Sequence, residues 1–462
     1  MTLRCRLLAP VPTGCSIKAG RAMSEAVVDI AGLLRQAIDH HRAGRLRHAE
    51  AACRQALRVD PNQPTALNLL GTLARQAGRR DAAIELFRRA IAVVPDYADA
   101  HYNLANALRE KGDIAGALEA YGEAIELRPD MPGWHNNLGV ALLASGDAGQ
   151  AEDSFRRAVE LKPDYADAFN NLGNSLLKQE KLHEAVGAYQ QAVALQPDFG
   201  GALANLGGAL IKAGRTAEAL APLDRLLARE RQHIRAVAYK AIALRELGRH
   251  QEADVLEDTD KLVGSARPPA PPGFADIAAF NRQLIAEIRA HPTLTRDWDP
   301  YQRAARRGAV AIDLLAHKSP AIAALETMVR GAIDAFAARL PDDPTHPFLC
   351  RKPRNYSLIM WANILAEEGH QAAHIHNLGW LSGVYYPWIP PSVRADDPRH
   401  AGWIEFGRPG YDMPCRFEPR TRAIMPENGL ILMFPSYFWH HTIPFHDAPE
   451  RISVAFDVHV QD

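Results

Sequence analysis

The stretch DYADAHYNLANALREKGDIAGALEAYGEAIELRP, residues 96–129, decides how the first half of this sequence folds, because its pattern returns every 34 residues. Prolines keep that period at Pro61, Pro95, Pro129, Pro163 and Pro197. Glycines keep it at Gly44, Gly78, Gly112, Gly146, Gly214 and Gly248, and Glu180 stands in place of one glycine. An alanine follows each of these positions after five residues. A period of this length indicates a repeat architecture rather than one continuous globular core.

Each unit carries apolar residues at the three- and four-residue spacing of two amphipathic helices. The glycine lies where the first helix must end and the chain reverse, and the proline separates one unit from the next. This pattern resembles the tetratricopeptide family, and the resemblance implies an all-α superhelix of about seven units over residues 27–264. Arg231 replaces the proline of the last unit, as expected of a terminal capping repeat.

A second periodic feature is an asparagine at one equivalent position of four successive first helices: Asn103, Asn137, Asn171 and Asn205. An amide both donates and accepts hydrogen bonds, so a row of amides can hold an extended peptide backbone without reading its sequence. The row looks like the one that lines the superhelix of O-GlcNAc transferases, where it binds substrate polypeptide. The other interpretation is that these amides bond neighbouring helices inside the array. The residues after 264 lack the strand–helix units of a glycosyltransferase, so the repeats by themselves indicate only a protein or peptide partner.

Composition excludes several classes of function. Lys+Arg 53 against Asp+Glu 54 gives a net charge of −1, which offers no electrostatic case for a nucleic acid or an anionic membrane as partner. No run of about 18 apolar residues is present, so no membrane span is predicted. The five cysteines are scattered and form neither a disulfide framework nor a zinc motif, which predicts a reducing, cytoplasmic location. Residues 1–26 are expected to be a disordered extension.

The sequence changes character after the repeats. Residues 265–274 are rich in proline and predict a semi-rigid linker. Two helices are predicted next, over Ile277–Arg289 and Ala321–Arg339. Short segments rich in β-branched and aromatic residues then follow: Tyr356–Leu365, Leu381–Trp388, Trp403–Gly407, Leu430–Phe434 and Ile452–Val460. Residues 275–462 therefore predict a domain with a helical beginning and a β-sandwich or barrel core.

Histidines are concentrated in that domain, with eight of the 19 between residues 370 and 459. His374 and His376 are two residues apart, so on a strand they share a face and lie about 7 Å from each other. Two such imidazoles can converge on one metal ion. A further ligand must come from another segment, and His440 and His441 are candidates. Because adjacent residues of an extended backbone point to opposite sides, only one of these two can face the metal.

A possible anion site follows eleven residues after His440, where Arg451 and Ser453 share one face of a predicted strand. Ile452, Val454 and Phe456 take the other face. The alternation is typical of a half-buried strand with a cation and a hydroxyl on one side. An arginine presents a planar fork that matches a carboxylate and stays charged when it is desolvated.

Together these segments resemble the Fe(II)/2-oxoglutarate-dependent oxygenases, and more narrowly the bacterial oxygenases in which tetratricopeptide repeats precede the catalytic domain. The matching stretches are WAN (361–363), GHQAAHIH (369–376), GWLSGVYY (379–386), IEFG (404–407), FPSYFWHHTIPF (434–445) and RISVAFD (451–457). The resemblance implies a double-stranded β-helix, or jelly roll, over residues 275–462. It also implies Fe(II) as the metal and 2-oxoglutarate as the cosubstrate.

Carried over residue by residue, the resemblance implies that His374 and His440 bind iron. It implies that Arg451 pairs with the distal carboxylate of 2-oxoglutarate and that Ser453 makes a second contact with it. No catalytic residue is implied beyond these metal and cosubstrate ligands.

The wider family has His-x-Asp or His-x-Glu, and here His376 stands in the third place. We favour His376 as a third ligand. The other possibilities are that His376 lies outside the ligand set of a two-histidine site completed by water, or that a carboxylate such as Glu405 is recruited.

The resulting prediction is a dioxygenase that oxidises 2-oxoglutarate to succinate and CO₂ while it hydroxylates a protein or peptide recruited by the repeats. The main alternative is an interaction scaffold whose β-helix domain is inactive, for which the missing carboxylate is the best argument. A further alternative is a cupin-like metal enzyme that does not use 2-oxoglutarate.

Overall fold

Helix pairs form the first part of the chain in the computed structural model, which describes residues 29–296, 305–410, 413–446 and 450–461. The extension predicted over residues 1–26 lies outside the described residues. The chain divides into two compact units, Met1–Asp130 and Met131–Asp462. The first unit contains α1 (Ile30–Arg42), α2 (Leu46–Val59), α3 (Pro64–Gln76), α4 (Arg80–Val93), α5 (Ala98–Lys111) and α6 (Ile114–Leu127).

The second unit begins with the same helix-pair repeat, and the described helices confirm the predicted all-α tetratricopeptide class. Its repeat helices are α7 (Pro132–Ser145), α8 (Ala148–Leu161), α9 (Ala166–Lys178), α10 (Leu182–Leu195), α11 (Gly200–Lys212), α12 (Thr216–Arg229), α13 (Ile234–Glu246) and α14 (His250–Glu257).

The turn inside each repeat requires a left-handed backbone. At the end of α5, Gly112 has φ of 92° and its N–H donates to the Leu108 and Arg109 carbonyls of the last helical turn. Residues with a Cβ are disfavoured in this conformation, which explains the periodic glycine. Glu180 occupies the same position after α9 with φ of 60°. The turn therefore keeps its shape there even though the glycine is replaced.

Two antiparallel sheets follow the repeats in the second unit. The strands are β1 (Gly264–Ala266), β2 (Leu294–Thr295), β3 (Ala305–Ala311), β4 (Tyr356–Gln371), β5 (Leu381–Trp388), β6 (Ile404–Phe406), β7 (Arg422–Ile424), β8 (Ile431–Pro435), β9 (His440–Thr442) and β10 (Glu450–Val460). The larger sheet has strand order β1-β8-β5-β10-β4-β3-β2 and the smaller has order β7-β6-β9. The accompanying helices are α15 (Thr259–Leu262), α16 (Ile277–Arg289), a 3₁₀ turn (Leu314–Ala316) and α17 (Pro320–Arg339). This is the predicted jelly-roll class with its helical beginning.

Individual boundaries agree with the sequence pattern to different degrees. Strand β5 and helix α16 have the predicted bounds, whereas β4 continues past the predicted end at Leu365 to Gln371. Strand β3, with the sequence ARRGAVA, was not predicted because its first half is charged. The start of the predicted linker is not a free spacer, since Gly264–Ala266 pairs with Ile431–Met433 at the edge of the larger sheet.

The two faces of β10 have different environments, as its alternating sequence predicts. On one face Val454 pairs in register with Tyr385 of β5, whose hydroxyl donates to Asn281 of α16 at 2.5 Å. On the other face Arg451 reaches Thr442 of β9 in the smaller sheet. The polar face of β10 therefore points into the space between the two sheets. No described helix is long and apolar enough to cross a membrane.

Candidate metal centre

The backbones of His374 and His440 form a reciprocal pair of hydrogen bonds. The N–H of each residue donates to the carbonyl of the other at 3.1 Å, which makes an isolated antiparallel bridge. The two residues are 66 positions apart in the sequence, yet this bridge brings their ring centroids to 4.4 Å. The bridge thus joins the segment after β4 to the beginning of β9.

His376 joins this pair from a segment that is extended but lies outside the regular strands. Its backbone N–H donates to the Ser436 carbonyl at 3.0 Å. Its ring centroid lies 5.1 Å from that of His374 and 5.0 Å from that of His440. One potential ligand atom of each of the three histidines lies within 4.8 Å of the other two. The rings of His374 and His376 converge as expected. The segment that carries them is not a regular strand, however, and is held by one β-bridge and by single backbone hydrogen bonds.

Hydrogen bonds fix which nitrogen of each ring carries the proton. Nδ1 of His374 lies 2.7 Å from the Ala372 carbonyl, and Nδ1 of His440 lies 2.9 Å from the Phe438 carbonyl. A carbonyl oxygen only accepts, so both Nδ1 atoms donate and both Nε2 atoms keep a lone pair. Nδ1 of His376 is likewise bound to an oxygen, as described next. Neutral imidazoles with free Nε2 atoms are the form that binds metal ions.

A carboxylate stands directly behind His376. Oδ1 of Asp457 in β10 accepts from Nδ1 of His376 at 2.6 Å and from the Ser382 hydroxyl at 2.6 Å. The Ser382 and Ser436 hydroxyls are themselves 2.8 Å apart. Sequence reasoning did not assign Asp457 a role. The available signal was the alternation of β10, which places residues 451, 453 and 457 on one face.

Burial keeps two of the histidines neutral. It lowers the pKa of His374 to about 3, and the neighbouring His376 ring adds to the effect. Burial also lowers the pKa of His440 well below its ordinary value, with further contributions from His374 and His376. At neutral pH both rings are therefore unprotonated and able to act as ligands.

Glu405 does not reach this cluster. Strands β6 and β9 pair Glu405 with His441 and Phe406 with His440, so Glu405 and His441 share the face opposite to His440. The Glu405 carboxylate lies 3.6 Å from His441 Nε2 and 2.8 Å from Arg408 Nε. Of the two adjacent histidines, His440 is the one that faces His374.

Arg451 of β10 is a buried cation that contacts β9, the strand that begins at His440. It is 1% exposed, and Nη1 donates to the Thr442 hydroxyl at 3.1 Å. The guanidinium carbon lies 5.2 Å from the ring centroid of Tyr386. Its buried Nε has no hydrogen-bond partner, and no carboxylate of the described residues forms an ion pair with it. A buried charge without a counter-charge is costly, which indicates a place for an anion.

Ser453 and Asn363 lie opposite each other in the register of β10 and β4. Both are almost fully buried, and Nδ2 of Asn363 has no hydrogen-bond partner. Asn363 lines a pocket of about 740 Å³ together with His374 and His376. The pocket thus combines imidazole ligands with an unused amide donor.

The asparagine row forms bonds inside the array. At three of its four positions the side-chain amide donates to an asparagine of the preceding repeat, 35 residues earlier. The bonds are Asn103 Nδ2 to Asn68 Oδ1 at 2.9 Å, Asn171 Nδ2 to Asn136 Oδ1 at 3.0 Å and Asn205 Nδ2 to Asn170 Oδ1 at 2.9 Å. Asn137 is approached by Asn136 Nδ2 at 3.4 Å. The internal role is therefore present, while peptide binding stays a prediction. Asn205 has little amide capacity left for a peptide, since it also donates to Asn174 and accepts from Arg235.

Comparisons with known families agree with this geometry. Residues 359–457, which contain the three histidines, Arg451 and Ser453, match the family model described as "Putative 2OG-Fe(II) oxygenase". Residues 63–257 match a model described as the C-terminal domain of cilia and flagella-associated protein 70, a tetratricopeptide model. The chain thus combines a tetratricopeptide-like region with a C-terminal region that matches the putative 2OG-Fe(II) oxygenases. A comparison with the curated proteins found no match.

Solved structures similar to this repeat protein include other tetratricopeptide proteins. YrrB, described as a TPR protein with an unusual peptide-binding site, is 20% identical with a TM-score of 0.38, covering 41% of this chain and 97% of its own. PilF of Pseudomonas aeruginosa is 18% identical with a TM-score of 0.42, covering 46% of this chain and 96% of its own. A thermophilic TPR protein of Thermus thermophilus is 24% identical with a TM-score of 0.33, covering 39% of this chain and 99% of its own.

The residues of the oxygenase domain fit the cofactors that its family implies. Fe(II) accepts imidazole ligands and needs open positions, and a set of three imidazoles leaves such positions. The orphaned Nε of buried Arg451 fits an anionic group of an oxoacid. The donor set and the cation therefore suit Fe(II) and a dicarboxylate together.

Proposed function

We propose that the protein is an Fe(II)- and 2-oxoglutarate-dependent dioxygenase that hydroxylates a protein or peptide recruited by its repeats. The observation that carries this proposal is the combination of three convergent imidazoles with a buried arginine that lacks a counter-charge. In the proposal His374, His376 and His440 hold Fe(II). Arg451 binds the distal carboxylate of 2-oxoglutarate, and Ser453 lies on the same face as a second contact.

Each residue around the centre has a defined part in this proposal. Bound Fe(II), with 2-oxoglutarate and dioxygen, supplies the oxidant for C–H hydroxylation and converts the oxoacid to succinate and CO₂. Asp457 holds the proton of His376 at Nδ1 and so keeps its Nε2 directed to the metal. Phe434, whose ring centroid lies 4.6 Å from that of His440, excludes water on that side.

The repeats supply the protein-binding part of the proposal. Tetratricopeptide helices present an extended surface, and Asn103, Asn137, Asn171 and Asn205 would contribute the amide capacity that their internal bonds leave. A cytoplasmic setting belongs to the same proposal. Support for it comes from Cys53, Cys350 and Cys415, the cysteines of the described residues, which form no disulfide.

Anaerobic titration tests the cofactors directly. Protein prepared with Fe(II) is titrated with 2-oxoglutarate, and the weak visible absorption band of an iron–oxoacid chelate is recorded, followed by succinate formation after air is admitted. We expect His440→Ala to lose the band and Arg451→Ala to weaken 2-oxoglutarate binding strongly. His441→Ala is the matched control, because His441 lies on the opposite face of β9. A wild-type protein without band or succinate rules the proposal out.

The scaffold alternative makes a different prediction for the same variants. A scaffold with an inactive domain retains its partner in pull-down experiments but forms no succinate, whether or not His440 is replaced. Succinate formation that requires both Fe(II) and His440 therefore decides between the two.

A further inference from the structure

A cleft of about 690 Å³ lies between the last repeat and the β domain, inside the second unit. One wall comes from the start of α13 and the other from the segments around Phe348 and Trp380. The loop Asn377–Gly379 also lines it. The cleft is thus built jointly by the repeat array and the oxygenase domain.

The wall from the oxygenase domain is apolar. The rings of Phe348 and Trp380 are stacked with centroids 4.6 Å apart. Leu378 is 68% exposed, more than any other large apolar side chain among the described residues. Phe348 and Trp380 are only 2% and 6% exposed, so their rings form the floor of this wall and Leu378 is the apolar side chain that it presents.

The opposite wall carries a cation. Arg235 donates to Oδ1 of Asn205 at 3.0 Å, a neutral partner that positions the guanidinium without neutralising it. Among the described residues, no acidic side chain lines the cleft. Glu230, whose charge acts on His233, is exposed and lies outside the lining. The cleft therefore favours a ligand that carries a carboxylate.

The cleft connects two features that were described separately. At one end Arg235 bonds Asn205, the last asparagine of the row, which in turn donates to Asn170 of the repeat before it. At the other end Leu378 follows His376 by two residues, and His376 lines the pocket of the metal centre. One short loop therefore borders both the cleft and that pocket.

We propose that this cleft binds an extended peptide that carries an apolar residue next to an acidic one, and that it directs the peptide from the repeats towards the metal centre. Leu378 takes the apolar side chain beside the buried rings of Phe348 and Trp380, and Arg235 takes the carboxylate. The inference deepens the proposed function and rests on it for the role of the peptide as substrate. The binding itself is separable, because it requires neither metal nor 2-oxoglutarate.

The test uses the full chain, free of metal, and fluorescent decapeptides in a Gly-Ser background. One probe carries Leu-Glu at its centre, a second Leu-Lys and a third Ser-Glu. In fluorescence anisotropy we expect wild type to prefer Leu-Glu over each of the others by about fivefold, the effect of one partly exposed ion pair or one buried side chain. Arg235→Glu should reverse the preference to Leu-Lys, which a misfolded variant cannot do. Arg157→Glu, an exposed arginine on α8, is the matched control and should keep the wild-type order.

Three outcomes overturn the inference. The first is equal binding of the three peptides by wild type, and the second is an unchanged order in Arg235→Glu. The third is a concentration-dependent dimer that Leu378→Ser dissociates, since a second copy of the chain would then occupy the cleft. If one of these outcomes occurs but the wild type still forms succinate, the inference about the cleft fails and the proposed function stands. If the wild type binds the Leu-Glu peptide selectively but forms no succinate, the proposed function fails and the cleft still binds the peptide.

Discussion

Nδ1 of His376 lies 2.6 Å from Oδ1 of Asp457, so an acidic residue does take part in this centre, one layer behind the imidazoles. The wider family places a carboxylate at position 376 itself, whereas here the carboxylate comes from β10, 81 residues later. The hydrogen bond orients the ring, fixes its tautomer and increases the basicity of Nε2. The departure from the family motif is thus accompanied by a partner that makes histidine a competent ligand.

Removal of the Asp457 carboxylate should weaken metal binding. We expect Asp457→Ala to lower Fe(II) affinity by about 10- to 100-fold, the usual effect of losing the partner of a metal-bound histidine. Asp457→Asn should have a smaller effect, because its amide oxygen can still accept from His376. Anaerobic calorimetry with Fe(II) measures both, and Glu405→Gln on the far face of β6 serves as control. Unchanged affinity in Asp457→Ala would show that His376 is not a ligand.

Restoring the family motif should fail unless the second carboxylate is removed as well. In His376→Asp two carboxylates would face each other at a buried position, and like charges there disfavour the doubly ionised form. We therefore expect His376→Asp to lose most Fe(II) binding and the double variant with Asp457→Asn to recover it. The same calorimetric titration tests this. Wild-type affinity in the single variant would contradict the arrangement of these two residues.

Arg451 should favour ligand binding at the expense of the stability of the ligand-free protein. Its buried charge has no carboxylate partner among the described residues, and replacing such a group by an apolar one is often stabilising. We expect Arg451→Met to raise stability by about 1 kcal/mol, equivalent to about 2–4 °C in the unfolding midpoint.

The same variant should lose 2-oxoglutarate affinity by about 30-fold or more, since a buried charge pair contributes at least about 2 kcal/mol. Thermal unfolding with and without 2-oxoglutarate measures both effects. Arg394→Met, at an exposed ion pair with Asp396, is the control and should change neither. A destabilised Arg451→Met that still binds 2-oxoglutarate would exclude an anion site at this residue.

Local sequence signals predicted much of this structure because the forces behind them are local. The glycine of each repeat and the spacing of α16 and β5 reflect turn geometry and one-sided burial, which a short stretch of sequence records. The bridge between His374 and His440 and the bond from His376 to Asp457 depend on how distant segments come together. The periodicity of a sequence does not record which distant segments pair. The meeting of His374 and His440 was therefore predicted only from a family resemblance, and the bond from His376 to Asp457 was found only in the structure.

Glu180 offers a direct measure of the cost of the repeat turn. Its φ of 60° is disfavoured for a residue with a Cβ, while the equivalent glycines adopt such values freely. We expect Glu180→Gly to stabilise the second unit by about 0.5–1 kcal/mol, the left-handed cost minus the greater chain entropy of glycine. Glu180→Ala retains the Cβ and should bring no gain. Chemical denaturation of the three proteins measures the difference, and equal stability of the two variants would contradict this explanation.

His346 should make the contact between the last repeat and the β domain sensitive to acid. It is 4% exposed, and Nε2 donates to the Val255 carbonyl of α14 at 2.9 Å. Nδ1 accepts from the backbone N–H groups of Phe348 and Leu349 at 3.1 and 3.3 Å, so protonation of Nδ1 would break both bonds. Burial lowers the pKa of His346, although the nearby carboxylate of Asp343 opposes the shift.

Because the folded-state pKa of His346 lies below the ordinary value of 6.5, the unfolded chain takes up the proton first. The stabilisation is therefore complete above pH 6.5 and is lost as the pH falls below it, with a slope of at most about 1.4 kcal/mol per pH unit for one proton. His346→Asn keeps an acceptor near Nδ1 but cannot titrate. We expect the stability advantage of wild type over this variant to shrink between pH 7.5 and pH 5.5 in urea denaturation. A constant difference over that range would show that His346 does not titrate with unfolding.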